Sequence, residues 1–330
     1  MQHKNTFPAW WRACTACVML LAACGKDDPK PAPAYVKSGV AAAVNANFSL
    51  TLYNFALINT HYNDTLSAAG PFTVIAPSNN AFNAAGFISG AAVIAAKDSM
   101  YAMMPYCILR QHLRLDSLPL AFNQTFTASN GQSLYITRWG NARDTAVTVN
   151  GARISTIDQP ASNGLVNIAD HLLNPVVYKN VQEAVSGDAS LSIFNAVLQQ
   201  SGMATQLQTG GPYTLFVPTN TAFVAAGINS TDDVYNMDAA VLTTLVKAHV
   251  VSGRHFVYDY ILTADVTTNT YTETMNDGST TTIKLLPDYS NPGRFLGINI
   301  QGAGSLATLK KSDVLTGNGV VHSISSVLIQ

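Results

Sequence analysis

Charge is scarce in this chain. Asp, Glu, Lys and Arg together make up 11% of its 330 residues, and the only glutamates are Glu183 and Glu273. The 18 basic and 19 acidic residues form no basic cluster, so the electrostatic footprint that holds nucleic acid is missing. Carboxylate pairs for acid–base work have few candidates. Asp158 and Asp170 lie near one closing segment, and Ser325 stands where Asp170 would recur in a second. There is no Gly-x-Ser-x-Gly elbow and no Gly-rich phosphate loop. Of four cysteines, Cys14, Cys17 and Cys24 sit in or at the end of an N-terminal apolar segment, which leaves Cys107 alone and excludes an internal disulfide. No later apolar run approaches the length of a membrane-spanning helix. These absences predict a protein that is not an enzyme and needs no metal or cofactor. A hydrolase resting on Asp158 or Asp170 is the remote alternative.

What is abundant is repetition. Gly70–Phe82 reads GPFTVIAPSNNAF, and Gly211–Phe223 reads GPYTLFVPTNTAF, 141 positions later. Aligned without gaps, Phe48–Gly86 and Ala189–Gly227 agree at 15 of 39 positions, where about two or three would be expected by chance. The period is that of a domain rather than a solenoid repeat. The boundaries read as 35–176 for a first domain and 177–330 for a second.

Each copy opens with a helix. In the second, Leu191, Phe194, Val197 and Leu198 recur at helical spacing, with Ser190 as the cap and Ser201-Gly202 as the stop. A buried strand follows at Thr73–Ala76 and ends at Pro77, after which Ser78 and Asn79, or Thr219 and Asn220, suit a helix cap. A longer helix is predicted through Val241, Leu242, Leu245, Val246 and His249. Met104, Ile108, Leu109 and His112 take the matching places in the first copy, 137 earlier. Strands then dominate, announced by Asn130-Gly131 and Asp277-Gly278 and closed after Asn163-Gly164 and Asn318-Gly319. The second copy carries about fourteen extra residues, placed in Thr263–Thr282 and the turn Ser290–Gly293. Helices early and strands late give an α+β class.

This order, with these motifs, resembles the fasciclin (FAS1) domain. The family's first signature is similar to Thr73–Phe82 and Thr214–Phe223, which supply Thr73, Pro77, Asn79 and Phe82 and their repeats Thr214, Pro218, Asn220 and Phe223. Its closing signature is similar to Asn163–Leu173 and Asn318–Leu328, with Asn163, Gly164, Asn318 and Gly319 at their heads. The resemblance implies two tandem domains, each a wedge or sandwich of sheet with packed helices, and adhesion or extracellular-matrix work. The family's central Tyr-His motif reads here as Gln111-His112 and Ala248-His249, histidine kept and tyrosine lost. Integrin-type adhesion of animal members is tied to that segment and does not carry over.

The N-terminus sets an expected compartment. His3, Lys4 and Arg12 precede the apolar run Ala13–Ala23, and Leu21-Ala22-Ala23-Cys24 resembles a bacterial lipobox, so 1–23 is expected to be a signal peptide and Cys24 a lipid anchor. Lys26-Asp27-Asp28 resembles the export tag of Bacteroidetes surface lipoproteins. Pro29, Pro31 and Pro33 make 24–34 an acylated, stiff spacer. The expected location is the outer membrane, lipid-anchored and facing outward. The expected partners are membrane lipid through Cys24 and an extracellular protein or polysaccharide.

Two histidines are the sharpest site candidates. His112 and His249 read either as ligands or as half-buried structural groups bonded to backbone. Apolar neighbours and the lack of a second ligand at metal spacing favour the structural reading. Trp139, the one tryptophan outside the signal, reads as a glycan platform or as packing over the domain seam. A glycan-binding accessory role in polysaccharide uptake is therefore the alternative to adhesion. The discriminating feature is a concave aromatic patch for the former and a flat surface for the latter.

Overall fold

The computed structural model describes residues 38–142, 145–304 and 306–329. The expected signal peptide 1–23, lipid anchor Cys24 and spacer 24–34 lie outside the described residues.

Each repeat folds around one seven-stranded mixed sheet. The first contains β1 (Phe72–Pro77), β2 (Ile108–Leu109), β3 (Ala121–Thr127), β4 (Ser133–Gly140), β5 (Thr145–Val149), β6 (Ala152–Ala161) and β7 (Gly164–Ala169), in the spatial order β2-β1-β7-β6-β5-β4-β3. The second contains β8 (Tyr213–Pro218), β9 (Val250–Ser252), β10 (Thr270–Thr274), β11 (Thr280–Pro287), β12 (Phe295–Gln301), β13 (Leu306–Thr316) and β14 (Gly319–Ile324), ordered β10-β11-β12-β13-β14-β8-β9. The duplicated sentence supplies the inner strands β1 and β8, which run parallel to β7 and β14; every residue of β1, and all but the first of β8, is buried. This explains their unbroken apolar reading, because a strand covered on both faces has no reason to alternate.

The sheet ends where two motifs meet. Phe72 pairs with Gly164 and Tyr213 with Gly319. A Cβ on either glycine would collide with the carbonyl oxygen of its partner. The Asn-Gly dipeptides are thus read by close backbone approach as well as by turn chemistry.

The helices pack against these sheets as the apolar spacing requires. Ser192–Gln200 buries Phe194, Val197 and Leu198. It is led in by the 3₁₀ turn Ala189–Leu191, which Asp188 caps by accepting from the Ser190 N–H, so the cap lies two residues before the Ser190 expected. Ser78 and Thr219 cap the next helices by accepting from the N–H groups of Ala81 and Ala222. Phe82 and Phe223 then enter the two cores fully buried.

The long helix of the second copy spans Ala239–Lys247 and stops short of His249, and that of the first copy also ends earlier than expected. The latter spans Lys97–Tyr106, and Ile108 and Leu109 form β2 instead. The extra residues of the second copy are spread over three places. Repeat-to-repeat offsets show five between Val257 and Met275, four in the β11–β12 hairpin and four between β12 and β13. The first group holds a helix, Val257–Thr263, where the first copy has only the short turn Leu115–Ser117.

Candidate functional site

The repeated polar residues bind main chain. Asn163 accepts from the Val40 N–H at 2.8 Å and donates to the Leu66 and Ala68 carbonyls. Asn318 does the same with Val181, Leu207 and Gly210. Asn79 bridges the Leu52 N–H and the Phe48 carbonyl, as Asn220 bridges those of Ile193 and Ala189. The Thr73 hydroxyl donates to the Gln111 carbonyl and accepts from the Leu113 N–H; Thr214 repeats this with Gly253 and His255. Each of these side chains ties together segments distant in sequence by pairing main-chain groups left open at the ends of elements. Pro77 and Pro218 end β1 and β8, having no N–H to donate to the ladder.

These matched bonds also fix the register between copies and correct the histidine pairing. Ile75 N–H donates to the Cys107 carbonyl where Phe216 N–H donates to the His249 carbonyl. The counterpart of His249 is therefore Cys107, 142 positions earlier, and His112 falls opposite Arg254 in an exposed loop. The expected offset of 137 fails because it assumed a helix continuing through residues that form β2. The motif pair is accordingly Tyr106-Cys107 in the first copy and Ala248-His249 in the second, each keeping one half. His249 is fully buried, donating from Nδ1 to the Leu245 carbonyl and accepting at Nε2 from the Leu328 N–H. Burial lowers its pKa to about 4, so it is neutral. Cys107 is likewise fully buried, and burial pushes its thiol pKa up, the condition of an inert thiol.

Asp158 recurs as Asp313, both at left-handed backbone positions in bulged strands. Their carboxylates accept from the Leu115 and Asp116 N–H groups and from the Val257 N–H, respectively. The Asp158 N–H is held by the Asn167 side chain and that of Asp313 by His322 Nδ1, while His322 Nε2 donates to the His255 carbonyl. His322 is buried on the Phe216 ring and its pKa, too, is lowered by burial to about 4. Asp170 accepts from the Arg153 N–H and from His171 Nδ1 at 2.7 Å, which raises the His171 pKa. Asp158 and Asp170 thus face separate partners. Among the described residues no three metal-ligating side chains cluster.

The residues that do converge belong to the junction between the repeats. Asp259, on the Val257–Thr263 helix, is buried; it accepts from the Phe256 N–H and, across the junction, from Asn123 and the Thr137 hydroxyl. Burial raises its pKa to about 6. Asn123 and Asn141 donate to the Arg254 and Leu262 carbonyls. The Arg254 guanidinium lies 3.8 Å from the Tyr135 ring centre, a cation–π contact joining the two copies. Phe256 packs with Leu315, Val320, Tyr135 and Val176. Gly151 admits it, since a Cβ there would stand 2.9 Å from the Phe256 Cβ. Beside this seam opens a cleft of about 550 Å³, lined from both repeats by residues that include Asp170, His171, Tyr178, Tyr258, Phe295 and Asp313. Trp139 is half-buried against Phe122, ring centres 4.8 Å apart, and does not line this cleft.

Sequence reasoning passed over these junction residues. One signal was available: Asp259 sits inside the otherwise apolar run Phe256–Leu262, where an unpaired carboxylate would be costly.

The Fasciclin domain profile matches twice, over residues 49–175 and 189–330. The chain belongs to the fasciclin-domain family. Among curated proteins this fasciclin chain is 26% identical over 272 residues to transforming growth factor-beta-induced protein ig-h3 of Sus scrofa, covering 80% of the chain and 35% of that protein. It is 26% identical over 277 residues to periostin of Homo sapiens, covering 81% and 29%. Fasciclin-1 of Drosophila melanogaster matches at 28% over 164 residues, covering 47% and 24%. The chain therefore spans about a third or less of the length of these relatives. The solved FAS1 domain pair of the insect cell adhesion molecule Fasciclin I aligns with a TM-score of 0.41 at 19% identity, covering 84% of this chain and 96% of that one.

Proposed function

We propose that this chain is a surface lipoprotein, held by acylated Cys24 in the outer membrane, whose two fasciclin domains bind an extracellular protein or polysaccharide in adhesion, without catalysis. One observation carries the non-catalytic part. The signature Asn and Thr residues common to both copies are bonded to main chain, so the motifs that mark a fasciclin domain serve the scaffold. The adhesion part draws on membership of the fasciclin family, which implies adhesion or extracellular-matrix work. The lipobox and Lys26-Asp27-Asp28 support an outward-facing anchor. A pair on one tether also gains effective concentration for weak contacts.

The test combines location with attachment. Protease shaving of intact cells should remove the protein, and Cys24→Ser should release it from the membrane fraction. Deleting the gene should reduce attachment to surfaces coated with matrix protein or polysaccharide. Protection from protease contradicts the location. Normal attachment contradicts the adhesion role. A turnover activity abolished by Asp158→Asn or Asp170→Asn contradicts the absence of catalysis.

The concave junction gives the glycan-binding alternative a specific footing, because a cleft with three aromatic rings was the feature expected to mark it.

A further inference from the structure

The cleft at the junction has the size and place of a ligand site. About 550 Å³ falls within the range occupied by small-molecule pockets, which favour domain interfaces. Its walls come from both repeats. The first copy contributes Asp170, His171 and Asn174, and the second Tyr178, Tyr258, Phe295, Leu296, Lys311 and Asp313.

The lining says what chemistry would bind. Its charged groups are engaged within the protein. Asp170 accepts from His171 Nδ1, Lys311 lies 3.8 Å from Asp188, and burial pushes the Asp313 pKa up to about 7. Hydrogen-bonding capacity remains. Asp313 uses Oδ1 for the Val257 N–H, and its Oδ2 has no hydrogen-bond partner among the described residues. Asn174 is exposed beside it. Apolar surface faces the same space: Val177 and Leu296 are 74% and 68% exposed, beside three aromatic rings. The complement of such a surface is an uncharged molecule with hydroxyl edges and apolar C–H faces.

We propose that the junction cleft binds a neutral saccharide, with Asp313 accepting from sugar hydroxyls and the aromatic wall receiving a sugar face. This names a ligand class for the binding role above and rests on that reading. A binding site made by both copies also gives the inter-repeat seam a purpose, since the cleft exists only while the repeats keep their relation.

Calorimetric titration of the purified full chain with cellohexaose, xylohexaose, mannohexaose, maltohexaose and laminarihexaose tests it, in a detergent without a sugar headgroup. Saturable binding of at least one hexaose is expected. Asp313→Asn, which keeps the oxygen for the Val257 N–H, and Leu296→Arg, which fills the exposed rim, should each weaken it at least tenfold. Tyr289→Ala, at a 90% exposed residue outside the cleft lining, should leave it unchanged. Failure of all five sugars to bind a chain that melts normally overturns the proposal, as does binding that survives both cleft substitutions. Attachment of cells carrying the Leu296→Arg chain separates the two readings. Normal attachment by a Leu296→Arg chain that has lost sugar binding overturns the cleft's part in adhesion, whereas a gene deletion without effect on attachment overturns the adhesion role itself.

Discussion

The two copies use identical residues for one purpose and different residues for another. Asn163 and Asn318, Thr73 and Thr214, and Asn79 and Asn220 each hold matching main-chain groups in the two copies. Where the copies diverge, the change often falls at the junction. Arg254 replaces the exposed His112 and stacks on Tyr135, and the Val257–Thr263 helix replaces a short turn and brings Asp259 to Asn123 and Thr137. Duplication supplied two scaffolds, and divergence joined them.

The largest effects should come from breaking what the copies share. Asn163→Ala and Asn318→Ala each strip partners from three main-chain groups, so each should cost roughly 3–5 kcal/mol in denaturant unfolding, by similar amounts in the two copies. A large loss in one copy and none in the other would break the equivalence.

Next comes the junction. Phe256→Ala empties a fully buried site and should cost about 3–5 kcal/mol. Its signature should be a split of thermal unfolding into two transitions, because the substitution cuts the contact between copies while sparing each sheet. Retention of a single transition at lower temperature would place Phe256 in the second core alone.

The histidines sharpen the comparison further. His249→Gln leaves the Leu328 N–H without its acceptor and should cost roughly 1–3 kcal/mol, while His112→Gln, in an exposed loop, should stay within about 0.5 kcal/mol. Equal losses would restore the pairing that the structure rejects.

The remaining effect is in pH dependence. His322 has a folded pKa lowered to about 4, so its contribution is present above the unfolded value of about 6.5 and is lost as pH falls towards 4. Asp259, raised to about 6, acts with the opposite sign and disfavours the fold as pH rises from about 4 through 6. The first copy already has Asn167 at the His322 position, bonding the same kind of N–H. His322→Asn should therefore fold and should lose less stability than the wild type between pH 7 and pH 4.5. An unchanged pH profile would show that His322 is not held neutral.

The sequence made the scaffold legible because its signals are local or repeated. Pro77 ends a strand, Ser78 caps a helix, and the Gly70–Phe82 sentence is audible twice. The histidine pairing was lost for a physical reason. Ile108 and Leu109 are apolar residues consistent with a helix face or a buried strand, and only β1 beside them decides for the strand. The junction was harder still, since Asn123 and Thr137 are unremarkable polar residues more than a hundred positions from Asp259. Burial of a carboxylate against two side chains of the other copy is written in no local pattern.

The central claim is that divergence has joined the two fasciclin domains into one body. Differential scanning calorimetry of the purified chain tests it most directly. A single transition whose calorimetric and van't Hoff enthalpies agree is the result expected. Two separate transitions in the unaltered chain, one per repeat, would contradict it.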